Sequence, residues 1–237
     1  MNPLLDFSGL PRFAEFKPEF VTPAVDALLN ESAGVVERLT HDSAAPTWDN
    51  FAVLLDNANE QLNRAWGQVS HLNAVMNSPE LREVYNANLP KITQFYAELG
   101  QNPALFAKYK ALKQSPELSK SSATRKKIIE NELRDFRLGG AELPDDKKSR
   151  FLEIQEEQSA LASKFSENVL DATNAFSLFV ESENELSGIP ADVLQTAAEA
   201  AKKDGKPGWK FTLHAPSYLP GLQYADNRAL REKMYHA

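Results

Sequence analysis

The chain has 237 residues, of which 42% are hydrophobic and 25% charged, a balance typical of a globular protein rather than a disordered or fibrous one. Its 26 basic and 33 acidic residues leave a formal net charge of -7. Nucleic acids and anionic membrane surfaces both require a surplus of Lys and Arg, so we expect neither as a partner.

Cysteine is absent, which removes disulfides, thiolate zinc sites and cysteine nucleophiles together and fits a reducing compartment. The opening residues Met1–Asp6 have neither a charged leader nor an apolar core long enough for export. No later stretch approaches the ~20 apolar residues that a membrane span needs. We therefore expect a cytoplasmic protein.

Long helices are predicted in the first part of the chain. Thr22-Pro23 is typical of an N-cap and first helical residue, and apolar residues follow at helical spacing. Thr47 opens a second helix, with apolar residues at steps of three and four as far as Val75. Ser78-Pro79 opens a third that ends at Gly100, and Pro90 inside it predicts a kink or a break.

Shorter helices are predicted at Pro103–Leu112 and Ala123–Leu138, and a long one from Pro144 to about Asn174. The long helix gathers its apolar residues on one face: Phe151, Ile154, Leu161, Phe165, Val169 and Ala172. Its charged residues, including Glu153, Glu156, Glu157 and Lys164, then form a solvated face.

The periodicity changes after this helix. Alternating residues predict short strands around Phe176–Val180 and Trp209–Leu213, with a turn at Asp204–Gly208 and an alanine-rich helix at Pro190–Lys203 between them. A final amphipathic helix starts near Asp226 and reaches the last residue without a stop signal, so we expect this chain to be the front part of a longer one.

The sequence thus predicts a mainly α fold, with a bundle of long antiparallel helices followed by a small strand-helix-strand segment. We predict an N-terminal helical domain at residues 1–143. Residues 144–237 are predicted to hold the long helix, the two-stranded unit and a truncated final helix that leads into a missing catalytic half.

No residue is predicted to be catalytic, cofactor-binding or metal-binding. The chain contains no H-E-x-x-H, no G-x-S-x-G and no glycine-rich phosphate loop, and no two histidines are four residues apart. His71 is expected to be a hydrogen-bonded structural residue, and His41 to interact with a helix dipole. Neighbouring carboxylates such as Asp145-Asp146 are read as solvated surface rather than as a general acid and base.

Several collinear blocks resemble the M3 family of zinc oligopeptidases, in its N-terminal portion only. The most specific is Leu-Arg-Asp-Phe-Arg-Leu-Gly-Gly-Ala-Glu-Leu-Pro, residues 133–144. The other matching blocks are Met1–Leu5, Val69–Asn73, Asn77–Glu83, Phe165–Thr173, Pro216–Pro220 and Asn227–Tyr235.

The resemblance implies a mostly helical enzyme whose two halves flank a channel for short peptides. One zinc ion is then held by an H-E-x-x-H helix and a glutamate that come later in the chain, in the missing C-terminal catalytic half. This sequence contains neither motif, so the resemblance implies that the chain helps to wall the channel and is inactive alone. An apolar surface left uncovered predicts self-association.

Two other readings stay open. The chain is alternatively a stand-alone helical module that binds peptides or proteins and has lost the catalytic half. A self-contained hydrolase that uses carboxylates is the third reading, and chelator-resistant peptide cleavage is the result that would favour it.

Overall fold

The computed structural model describes residues 2–237. These residues form ten α-helices and one two-stranded sheet, so the prediction of a mainly α chain with a small strand segment is confirmed. The chain divides into two compact units, Met1–Leu161 and Ala162–Ala237. The domain division at residues 143 and 144 stays a prediction, and the block that begins at Met1 is described here from Asn2.

Helices of the first unit account for most of its residues. They are α1 Val21–His41, α2 Val53–Val75, α3 Pro79–Gly100, α4 Pro103–Lys113, α5 Pro116–Lys120 and α6 Ala123–Leu138. A further helix, α7 Asp145–Ala175, includes the residues at which the two units divide. The second unit contains β1 Leu178–Val180, α8 Ala191–Lys203, β2 Trp209–Phe211, α9 Ala215–Tyr224 and α10 Arg228–Tyr235.

The capping residue predicted at the start of α3 is found, whereas the one predicted for α1 is not. Ser78 caps α3 by accepting a hydrogen bond from the amide of Leu81, and a proline takes the first helical position. The predicted cap at Thr22 is wrong, because α1 already starts at Val21. Its hydroxyl instead accepts a hydrogen bond of 2.8 Å from Asn88 Nδ2, inside the bundle.

The helices α1 and α2 pack antiparallel. Ser32, near the middle of α1, donates a hydrogen bond of 3.2 Å to the carbonyl of Ala58 near the start of α2. Leu39 at the end of α1 belongs to one buried cluster with Leu55, early in α2. Residues from the start of α1 and the end of α2 meet in a second cluster, which includes Leu4, Val21, Val25, Leu28, Leu62, Ala65, Val69 and Leu72.

Helix α3 runs antiparallel to α2 and closes this layer. The rings of Trp66 and Tyr85 stack at 4.8 Å, and Tyr96 donates a hydrogen bond of 2.8 Å to Asn63 Oδ1. The earlier residue of α2, Asn63, pairs with the later residue of α3, Tyr96, so the two helices run in opposite directions. Helix α3 continues through Pro90 without a break, so the helix tolerates the hydrogen bond lost there.

The second unit is built around a short antiparallel sheet. Leu178 pairs with Phe211 and Val180 with Trp209, so the two predicted strands form, although each is shorter than predicted. The turn before β2 needs glycine, because a Cβ on Gly208, whose φ is +82°, would lie 2.2 Å from the carbonyl oxygen of Val180. Phe211 is fully buried in the core of this unit.

We expect Phe211→Ala to lower the free energy of unfolding by about 3–5 kcal/mol, since it removes a buried aromatic ring and leaves a cavity. Urea denaturation followed by circular dichroism measures the change. Phe165→Ala is the matched control in the same unit, because that ring is 70% exposed and its loss should change stability by less than about 0.5 kcal/mol. Equal losses from the two variants would contradict this packing.

Candidate functional site

The four histidines lie on or next to four different helices. His41, at the end of α1, has its Nδ1 2.8 Å from the carbonyl oxygen of Glu37. His71 is exposed on α2 and faces the ring of Phe13 at 5.6 Å, so its role is a ring contact on the surface rather than the predicted hydrogen-bonded position near the core. His214 precedes α9, and His236 follows α10.

No metal site is assembled by these side chains. In residues 2–237, no three His, Asp or Glu side chains lie close enough together to share a metal ion. Zinc sites in proteins use three or four such ligands at about 2.0–2.3 Å. The zinc that the resemblance implies therefore does not fit the residues of this chain that the structure describes.

The block of residues 133–144 has a structural role in the first unit. Leu133 and Phe136 are buried, and the ring of Phe136 lies 5.8 Å from that of Phe106 and 5.4 Å from that of Tyr109. Gly139 follows at the end of α6 and lies against the end of α3. A Cβ there would lie 3.2 Å from the Cα of Gly100, which leaves little space for a side chain.

Close to the rings of Phe106, Tyr109 and Phe136 lie acidic side chains that were not predicted from the sequence. Glu132 is half-buried on α6, and burial raises its pKa, with the charges of Asp135 and Asp56 adding to the effect. The pKa of Tyr109 is also raised, first by burial and then by Glu132 and Asp56. We name Asp56, Glu132 and Asp135 the acidic cluster.

Helical spacing does identify Glu132. It lies three residues after Ile129 and one before Leu133, both buried, so it occupies the edge of the buried face of α6. A carboxyl group at such an edge loses part of its hydration and holds its proton more tightly. The carboxyl groups of this cluster can hold a proton. The cluster contains no cationic group that could polarise the carbonyl of a peptide.

The second unit contains an open groove of about 400 Å³ between α8 and the segment that follows β2. Ser217 Oγ accepts a hydrogen bond of 3.0 Å from the amide of Thr212, and Lys210 pairs with Asp204 at 2.6 Å. The groove is lined by Asp192, Val193, Thr196, Ala197, Ala200, Lys210, Thr212, His214, Pro216 and Ser217. Its lining combines apolar residues such as Val193 and Ala197 with polar ones such as Asp192 and His214, a combination typical of sites that bind small groups.

A membrane-spanning role finds no support in the helices. Among residues 2–237, none of the helices combines the length and the apolar character that crossing a bilayer requires.

The model of the family described as "Neurolysin/Thimet oligopeptidase, N-terminal domain" matches residues 25–148. The whole chain aligns with proteins named "Oligopeptidase A", at 46% identity in Haemophilus influenzae and 41% in Escherichia coli. A protein named "Probable cytosolic oligopeptidase A" from Arabidopsis thaliana is 36% identical, again over the full chain. In each case the alignment covers 34–35% of the relative, so the chain spans about a third of their length.

We expect Glu132→Gln to stabilise the chain at pH 7 and to have little effect near pH 4. The pKa of Glu132 is raised above its ordinary value of 4.5, so the folded state binds more protons than the unfolded state in the window above that value. Stability contributed by this group is therefore lost as the pH rises through the window, and glutamine removes that loss.

Urea denaturation at pH 4 and pH 7 measures the difference. Glu130→Gln is the control on the same helix, because Glu130 is exposed and lies 3.7 Å from Lys127 Nζ in a surface pair worth little. A Glu132→Gln variant that is less stable than the parent at pH 7 would contradict the assignment.

Proposed function

This chain belongs to the family of the neurolysin and thimet oligopeptidase N-terminal domain, and on that premise we propose that it is the non-catalytic N-terminal part of a zinc metallopeptidase that degrades short peptides. The observation that carries the proposal is the full-length alignment with the oligopeptidase A proteins, over about a third of their length. The remaining two thirds of such a protein would then supply the catalytic chemistry.

The division of labour follows from what peptide hydrolysis needs. An amide carbonyl must be polarised and a water molecule activated, and a zinc ion supplies both when it is bound. The described residues of this chain offer no set of three ligands for that ion. We therefore assign no catalytic step to this chain and propose that it is inactive alone.

The contribution of this chain is proposed to be a wall of the substrate channel. The antiparallel layer of α1, α2 and α3 is held by apolar packing along its length and by polar contacts such as Asn88 with Thr22. A layer of this kind is rigid, because close-packed interiors resist deformation. A rigid wall around a narrow channel admits short peptides and excludes folded proteins.

A cytoplasmic location is part of the same proposal. It is supported by the absence of cysteine and by the name of the plant relative, which describes that protein as probably cytosolic.

A second candidate is a stand-alone module that binds peptides or proteins without cleaving them. The groove between α8 and the segment after β2 favours it, because Lys210, Thr212 and His214 can offer hydrogen bonds beside an alanine-lined floor. Binding of short peptides by the isolated chain, abolished by filling the groove with Ala197→Phe, is the result that would select this candidate.

We expect the isolated chain to cleave no quenched fluorescent peptide when zinc is supplied, and a fusion of this chain to the remaining two thirds of the Haemophilus influenzae relative to cleave it. The reason is that only the fusion would complete the metal-binding half. The measurement is the rate of fluorescence increase, with and without a chelator.

The control is the same fusion after both histidines of its H-E-x-x-H segment are changed to alanine. Zinc-dependent cleavage by the isolated chain would overturn the proposal. So would a folded, zinc-loaded fusion that cleaves no short peptide.

A further inference from the structure

The long helix α7 presents several large apolar side chains to solvent. None of its 31 residues, all of which the structure describes, is buried. An amphipathic helix of a globular protein normally turns its apolar stripe inward and its polar face outward. In α7 the apolar residues Ile154, Leu161, Phe165 and Val169 are exposed, whereas the more covered positions hold polar residues together with Phe151, Leu152 and Leu170.

In the first unit two apolar residues of α7 are exposed while nearby polar residues are more covered. Ile154 is 44% exposed and Leu161 62% exposed. The neighbouring Gln155 and Ser159 are more covered, and Ser159 Oγ lies 2.9 Å from Thr93 Oγ1 in a hydrogen bond to α3. Serine and threonine, rather than leucine and valine, therefore make this contact.

In the second unit the contrast is larger. Phe165 is 70% exposed and Val169 is 50% exposed. The side chain of Glu167, two residues from each, is only 11% exposed and lies 3.8 Å from Lys164 Nζ. A carboxylate is thus better covered than the phenyl ring beside it, which is the opposite of what water favours.

The exposed apolar residues of α7 share one face of the helix. Leu161, Phe165 and Val169 follow one another at intervals of four, and Ile154 precedes Leu161 by two turns, so all four lie on one face of the helix. We name these four residues the α7 stripe. Exposed apolar residues that share a helix face indicate an interaction site, because covering apolar surface contributes about 25 cal/mol per Å².

The size of the relatives indicates what covers the stripe. Each oligopeptidase A relative is about three times as long as the part that this chain matches. Two thirds of each relative is therefore polypeptide that does not correspond to any residue of this chain. A segment of that length contains enough apolar surface to cover a helix face of about 15 residues.

A second copy of this chain is a poorer occupant on electrostatic grounds. Each copy carries a net charge of -7, and Glu153 and Glu157 lie on α7 beside the stripe. Pairing two stripes would bring these carboxylates together, and like charges at an interface oppose association.

We propose that the α7 stripe is the surface through which this chain docks onto the remaining two thirds of an oligopeptidase A-like polypeptide. The inference rests on the proposed function for its partner, but its test is independent of catalysis. It assigns Phe165, the most exposed apolar residue of the stripe, as the central contact.

The absence of native cysteine makes a thiol-labelling test specific. Phe165→Cys places one thiol in the stripe, and Glu156→Cys places one on an exposed position on the opposite side of the helix. Each variant is made in the isolated chain and in the fusion to the remainder of the Haemophilus influenzae relative. The rate of reaction with a chromogenic disulfide is measured, after subtraction of the rate for the fusion without an introduced cysteine.

We expect the thiol introduced by Phe165→Cys to react about tenfold more slowly in the fusion than in the isolated chain, because burial blocks access. The thiol introduced by Glu156→Cys should react at similar rates in both. If the fusion is insoluble, the labelled isolated chain is mixed with the separately produced remainder, and a blue shift of a polarity-sensitive dye at position 165 is expected.

Equal reactivity of the Phe165→Cys thiol in both proteins would overturn the inference. Protection that appears in the isolated chain and grows with its concentration would also overturn it, since the occupant would then be a second copy. Protection in a fusion that cleaves no peptide leaves the docking surface standing and contradicts the proposed function alone.

Discussion

Everything else in the first unit depends on the antiparallel packing of α1 against α2. Leu28 and Leu62 are almost fully buried in one cluster, and Leu39 and Leu55 in the next, so a single helix pair contributes to two cores. Helix α3 is then aligned on the pair by the stacking of Trp66 on Tyr85. The block of residues 133–144 is held in the core that includes Leu39.

The long helices could be predicted from the sequence because their signals are local. The spacing of apolar residues identified α2, and Ser78-Pro79 identified the start of α3. The cap predicted at Thr22 was wrong because a threonine before a proline looks the same in sequence whatever its hydroxyl binds. Here the hydroxyl accepts a hydrogen bond from Asn88, which is 66 residues away. Contacts over such separations are set by packing and leave no periodic trace.

The acidic cluster and α7 illustrate the same limit for functional features. Glu132 lies at the edge of a buried face, which spacing alone can indicate. Burial raises its pKa first, followed by the charges of Asp135 and Asp56, and Asp56 comes from another helix. Helical spacing predicted one apolar face on α7; of its members Ile154, Leu161, Phe165 and Val169 are exposed, while Phe151 is half-buried. That this face points to solvent, while Glu167 is covered, could not be predicted, since periodicity defines the faces of a helix and not their surroundings.

These features together describe a well-packed helical chain that lacks an assembled metal site among its described residues and presents one apolar face to solvent. We infer that this face is complementary to the rest of an oligopeptidase A-like protein. Titration calorimetry of the chain with the separately produced remainder of the Haemophilus influenzae relative tests this most directly. We expect a one-to-one complex whose formation has a negative heat-capacity change, because binding buries apolar surface. Absence of heat and of a complex at micromolar concentrations of both folded partners would contradict it.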